Sequence, residues 1–130
     1  MNDDEFLAAF ESAAIANTDF RHREHLRMAW LYVRRDGPAM GGLRIREGIR
    51  RFAAAHGVPH LYHETLTGFW ARLMPHAVEA FGELDRFEDV LGCYAGFDDR
   101  RLPYRHWRPG TLDGPEARHR WVEPDLCPLP

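Results

Sequence analysis

The chain has 130 residues and a formal charge of −3 at neutral pH, long enough for one domain with its own core and without global attraction to nucleic acid or anionic membrane. It has no lysine, all 17 basic residues being arginine, which excludes Schiff-base chemistry, covalent pyridoxal phosphate and a phosphate-loop lysine. The only serine is Ser12, inside a helical pattern, and Cys93 and Cys127 form neither a disulfide framework nor a zinc-ribbon spacing.

No apolar run approaches the ~20 residues that span a bilayer. The acidic opening Met-Asn-Asp-Asp-Glu passes straight into helical pattern rather than into a secretory leader. A cytoplasmic protein with reduced thiols is expected, with no membrane and no nucleic-acid partner.

The first helix is predicted from Asp3 or Asp4 to Ala16, with Phe6, Leu7, Phe10 and Ala14 as its apolar stripe. Asn17 and Thr18 make a short turn. A second helix then runs to about Arg35, with Thr18 or Asp19 as N-cap and Glu24 early in the helix. Its stripe is Leu26, Ala29, Trp30 and Val33, and stepping back by three and four lands on His22 and His25. Asp36-Gly37-Pro38 stops it, because glycine permits a left-handed cap and proline cannot continue the ladder.

A third helix starts at or shortly after Pro38. Gly41-Gly42 weaken its first turn, so the firm part is expected from Leu43 to His56. Ile45, Ile49, Phe52, Ala53 and then His56 lie on its stripe. Arg44, Arg46, Arg50 and Arg51 surround that stripe and read as a solvated face. Gly57 ends the helix, and Val58 to Tyr62 is a linker.

The fourth helix carries His63, Leu66, Thr67, Trp70 and Leu73 on one side. Pro75 is expected to kink or end it, with a further helical segment from His76 to Phe81. Glu83 to Leu91 reads as a short helix, and Gly92 and Gly96 bracket a turn. Arg100 to Trp107 and Pro115 to Trp121 are shorter helical pieces, and the tail from Glu123 is extended. The fold expected is all-α: a single-domain antiparallel bundle of four main helices over residues 1–130, plus short C-terminal helices and an extended tail.

In an up-down-up arrangement the start of helix two, the end of helix three and the start of helix four share one end of the bundle. Those ends carry His22 and His25, then His56, then His63 with Glu64, with His60 in the linker. Three imidazoles can hold a divalent transition metal such as zinc, iron or copper and leave a position open for water or a small-molecule substrate. His22, His25 and His63 are the expected ligands, since helix N-termini favour their neutral form. Glu64 would be a fourth ligand or the base for a bound water. Adjacent helical residues point about 100° apart, so one of His63 and Glu64 would ligate and the other orient.

Two other readings stand beside the metal-dependent enzyme. One is a metal-free small-molecule pocket with His63 and Glu64 as an acid–base pair or as ligand contacts. The other is a structural or interaction module whose histidines make caps and buried hydrogen bonds. His76, His106 and His119 read as surface or structural. Phe20, Trp30, Tyr62, Phe69 and Trp70 read as core that adjoins the site, and Cys93 as a buried structural thiol.

The segments Phe20-Arg-His-Arg-Glu-His-Leu-Arg-Met-Ala-Trp and Leu61-Tyr-His-Glu-Thr-Leu-Thr-Gly-Phe-Trp resemble a family of small uncharacterised bacterial proteins. The closing segment from Gly114 to Leu126 is similar as well, so the resemblance covers nearly the whole chain. It implies positions rather than an activity: His22, His25, Tyr62, His63, Glu64, Thr65, Thr67 and Arg118. On this resemblance Tyr62 and Glu64 join the catalytic candidates. Arg118 would anchor a substrate carboxylate if the last helix folds back.

Overall fold

The computed structural model describes residues 1–93 and 96–130, and every regular element among them is helical. α1 (Asp3–Glu11) starts where the Asn2 side chain accepts the Glu5 N–H at 2.8 Å, with acidic residues filling its first turn. It ends five residues before the expected Ala16. Ala13 adopts a φ of 57°, and bonds from Ala13 N–H to Phe10 O and from Ala14 N–H to Ala9 O close a Schellman motif. The turn has a packing reason. It brings Phe20 back onto Phe10, stacked with ring centroids 4.9 Å apart, and that burial outweighs the helix propensity of the alanines.

Thr18 and Asp19, the expected caps of the next helix, lie instead in a 3₁₀ turn (Asn17–Asp19). α2 (His22–Ala55) is capped at Arg21, whose backbone N–H donates to the Glu24 carboxylate at 2.8 Å. Two arms, 22–36 and 38–55, meet at Gly37, which takes a non-helical φ of 85° and ψ of 173°. Only glycine enters that region without strain. Pro38 then opens the second arm where no amide is needed, as its sequence predicts.

The second arm runs through Gly41 and Gly42, both helical and buried, instead of becoming regular only at Leu43. A Cβ on Gly41 would stand 2.7 Å from Val33 Cα, so the missing side chain lets one arm lie directly on the other. Close approach of the two arms offsets the ~1 kcal/mol a glycine costs inside a helix.

α3 (Glu64–Phe81) packs chiefly against α2 and continues through Pro75, so the helix does not end there. Proline removes one ladder bond there. Leu73, Met74 and Ala77 are buried on both sides of it, and their packing keeps both halves in the core.

α4 (Phe87–Cys93) starts four residues later than expected and buries Phe87 and Val90. The turn expected between Gly92 and Gly96 includes residues 94 and 95, which lie outside the described residues. Of the piece expected from Arg100 to Trp107, only a 3₁₀ turn (Leu102–Arg105) forms. α5 (Pro109–Leu112) has no counterpart in the sequence reading, and α6 (Pro115–His119) stops short of Trp121.

The tail is non-helical, as expected, and it is fastened. Trp107 Nε1–H donates to Val122 O at 2.9 Å, and Arg108 N–H to Asp125 at 2.8 Å. Cys93 and Cys127 are both free and exposed, so Cys93 is not the buried thiol expected. Among the described residues no helix is long and apolar enough to cross a membrane.

Candidate functional site

The two arms of α2, the start of α3 and the segment 100–104 line a half-open cavity of about 690 Å³. Most of its wall is apolar, from Phe20, Leu26, Ile45, Ile49, Leu66 and Trp70. His22, His25, Tyr62, His63, Thr67 and Tyr104 add polar groups. His22, His25 and His63, chosen from helical spacing, therefore line one cavity. Glu64 and Arg118 are not on its wall, nor is His56.

His63 sits at the N-cap of α3. Its Nδ1 accepts the Leu66 N–H at 3.1 Å, and its Nε2–H donates to the Leu112 carbonyl at 2.7 Å. A carbonyl only accepts, so the proton is on Nε2 and the lone pair on Nδ1 is already engaged. Burial pushes its pKa below the usual 6.5. The Leu112 carbonyl works against that shift, and the nearby Arg118 charge adds to it.

His25 differs. Its Nδ1–H donates to the Arg21 carbonyl at 2.8 Å, which fixes the tautomer and leaves Nε2 as the lone-pair nitrogen. Burial lowers its pKa, against a smaller upward pull from the Arg21 carbonyl and Glu24. His22 packs edge-on against Trp70, ring centroids 5.0 Å apart, and its Nε2 is buried without a hydrogen-bond partner. Burial lowers its pKa first and the neighbouring His25 second. A backbone bond at Phe97 and the charges of Asp98 and Asp99 pull the other way. His22 thus responds to His25, while His63 responds to Arg118 and Asp113. His56 lies on Phe52, 4.4 Å between centroids, with its own Nε2 buried and unpartnered.

Glu64 occupies a separate, half-buried polar knot. Its carboxylate accepts from Arg46 at 3.2 Å, from Arg50 at 3.0 Å and from the Tyr62 hydroxyl at 3.1 Å. Burial and the Glu64 charge push the Tyr62 phenol up to about 12, so it remains protonated and donating throughout the physiological range. Arg118 folds back onto the backbone that leads into α3. Its Nη1 donates to the carbonyls of His60, Leu61 and Tyr62 at 3.2, 3.2 and 3.3 Å. Thr65 is also held from the C-terminal side, its hydroxyl donating to Arg120 O at 2.8 Å. Thr67 is buried on the cavity wall.

Sequence reasoning missed Tyr104 and the cations Arg21, Arg100 and Arg101 on the wall. The dibasic step after Asp98-Asp99 was the only visible signal for the arginine pair, and nothing local tied it to the histidines.

Among the described residues no group of three or more His, Cys, Asp or Glu side chains is placed to hold a metal ion. The three-histidine set falls one lone pair short, since both His63 nitrogens already bond to backbone. No protein-family model matches the chain, and neither a curated protein nor a solved structure is significantly similar to it.

Proposed function

We propose that the chain binds a small molecule in the cavity between α2 and α3, whose polar lining includes the neutral imidazoles of His22 and His25. The observation that carries this reading is the cavity itself: about 690 Å³, mostly apolar, with a few convergent polar groups. That is the size and lining of a ligand site. His25 is the residue best prepared for proton transfer. Its tautomer is held by the Arg21 carbonyl, its Nε2 lone pair is free to accept, and burial keeps it unprotonated at neutral pH. His63 and Glu64, the acid–base pair expected from sequence, are better described as positioning groups, one joining α3 to Leu112 and the other neutralising two arginines.

A metal-dependent reading has one observation in its favour. His22 has an unpartnered Nε2, and His25 donates its other ring N–H to a backbone carbonyl, the outer-shell bond a ligating histidine usually makes. Under it His22 and His25 would ligate, and His63 would have to release Leu112 to join them.

Several coarser readings travel with the proposal. The second arm of α2 and α3 run antiparallel, supported by Arg50 meeting Glu64 in the first turn of α3 while Gly42 faces Ala71. A reducing, cytoplasmic setting is supported by the two free, exposed thiols. The charge of −3 favours neither nucleic acid nor anionic membrane as partner. Membership of the bacterial family rests on the Phe20–Trp30 and Leu61–Trp70 segments.

The test is a fragment screen by amide-resolved NMR on untagged protein, with an Ile49→Trp variant that fills the cavity, beside metal analysis by plasma mass spectrometry. Fragment shifts confined to the cavity wall and abolished in the variant support the binding site. Stoichiometric metal that disappears in His22→Ala supports the metal-dependent reading instead.

A further inference from the structure

Charge at the cavity is unevenly placed. The three histidines on the wall are held toward the neutral form by burial, so fixed positive charge comes only from Arg21, Arg100 and Arg101. Among the described residues none of these three arginines is in an ion pair, although the negative charges of Asp98 and Asp99 also reach His22 on this wall. Asp98 pairs with Arg23 at 2.9 Å, and Asp99 accepts the Arg101 backbone N–H at 2.9 Å. Arg21 gives its Nε–H to the Thr18 carbonyl at 3.2 Å, leaving its two terminal amino groups. The Arg101 guanidinium lies 4.8 Å over the Tyr104 ring, a face contact that leaves its N–H edge available. All three side chains belong to exposed residues, so their charge stands at the opening and not in the depth.

We propose that the cavity takes an amphipathic monocarboxylate, its apolar body among Leu26, Ile49 and Trp70 and its carboxylate on the guanidinium groups of Arg100 and Arg101. The proposal rests on the cavity being a small-molecule site. A guanidinium fork fits both oxygens of a carboxylate at once, and an apolar wall excludes ligands that are charged along their length. The buried imidazoles would be poorly suited to meeting the anion themselves, because neutral His25 presents only a lone pair at Nε2.

The test titrates ¹⁵N-labelled protein with octanoate, octan-1-ol and octylammonium, one chain with three head charges, and repeats the series with Arg100→Gln/Arg101→Gln. Octanoate is expected to bind at least tenfold more tightly than the alcohol, with octylammonium weakest. Shifts should concentrate at the Trp70 indole and the Leu26 and Ile49 amides. The double variant should keep its affinity for octan-1-ol and lose the tenfold preference. Octanoate and octan-1-ol binding alike to the native protein would overturn the anion assignment and leave the cavity reading standing. A preference that survives in the double variant would overturn the assignment to these arginines. No binding by any of the three probes, with a native amide spectrum, would overturn the cavity reading and this inference together.

Discussion

The Nε2–H of His63 donates to the Leu112 carbonyl across 2.7 Å, joining the first turn of α3 to a residue 49 positions later, while the same ring caps the helix through Leu66 N–H. One imidazole therefore makes one local and one long-range bond, and the two can be separated by substitution. His63→Ala removes a cap of about 1 kcal/mol. It also leaves the Leu112 carbonyl without its donor, at about 1–3 kcal/mol. Urea unfolding should show a loss of about 2–4 kcal/mol, and His63→Asn, which still caps, about half that. Equal losses in the two variants would contradict the two-bond account.

Acid should weaken the fold first through its buried histidines. Burial holds His22, His25 and His63 below the usual 6.5 in the folded chain. The unfolded chain then binds more protons near and below that pH, so stability is complete above about 6.5 and falls as pH drops toward the folded values. Asp36 and Asp125, whose pKa values are lowered by hydrogen bonds, add their loss only below about 4. The urea midpoint should be level from about pH 8 to 7 and decline from about 6.5 to 5. His25→Gln cannot titrate and should flatten that decline; a decline as steep as in the native protein would rule His25 out as a contributor.

Neighbouring glycines in α2 should respond in opposite directions to the same change. At Gly41 a methyl group meets Val33 backbone at 2.7 Å, which only movement of the arms relieves, so Gly41→Ala should destabilise by about 1–3 kcal/mol. At Gly42 the nearest atom is the mobile end of Arg46 at 3.6 Å. Gly42→Ala should gain about 0.5–1 kcal/mol from helix propensity alone. Thermal unfolding of the two variants checks both signs, and a shared sign would mean that the arms are not held together at Gly41.

Helical periodicity carried His22, His25 and His63 to the same cavity because each lies one or two turns from an apolar stripe that packs inward. It could not say what each ring nitrogen would meet. The partners of His63 and His25 are carbonyls at Leu112 and Arg21, and backbone groups have no sequence signature. The surroundings of Glu64 were hidden for a related reason: Arg46 and Arg50 read as a solvated face, yet both turn toward it. Pro75 and Gly41-Gly42 obeyed tertiary packing over local preference, while Gly37-Pro38 broke the helix because a positive φ there admits no substitute. The short C-terminal elements escaped prediction because four or five residues are too few for a period to show.

Residues 60–65 are fastened from three later places in the chain: Leu112 on His63, Arg118 on the carbonyls of 60–62, and Arg120 on Thr65. A ribosome builds from the other direction. Both long helices precede every one of those fasteners in the sequence, so this edge of the cavity cannot be fastened until the C-terminal segment has been made. A nascent chain interrupted upstream of Leu112 would carry its helices and its histidines, with the wall beside them still open.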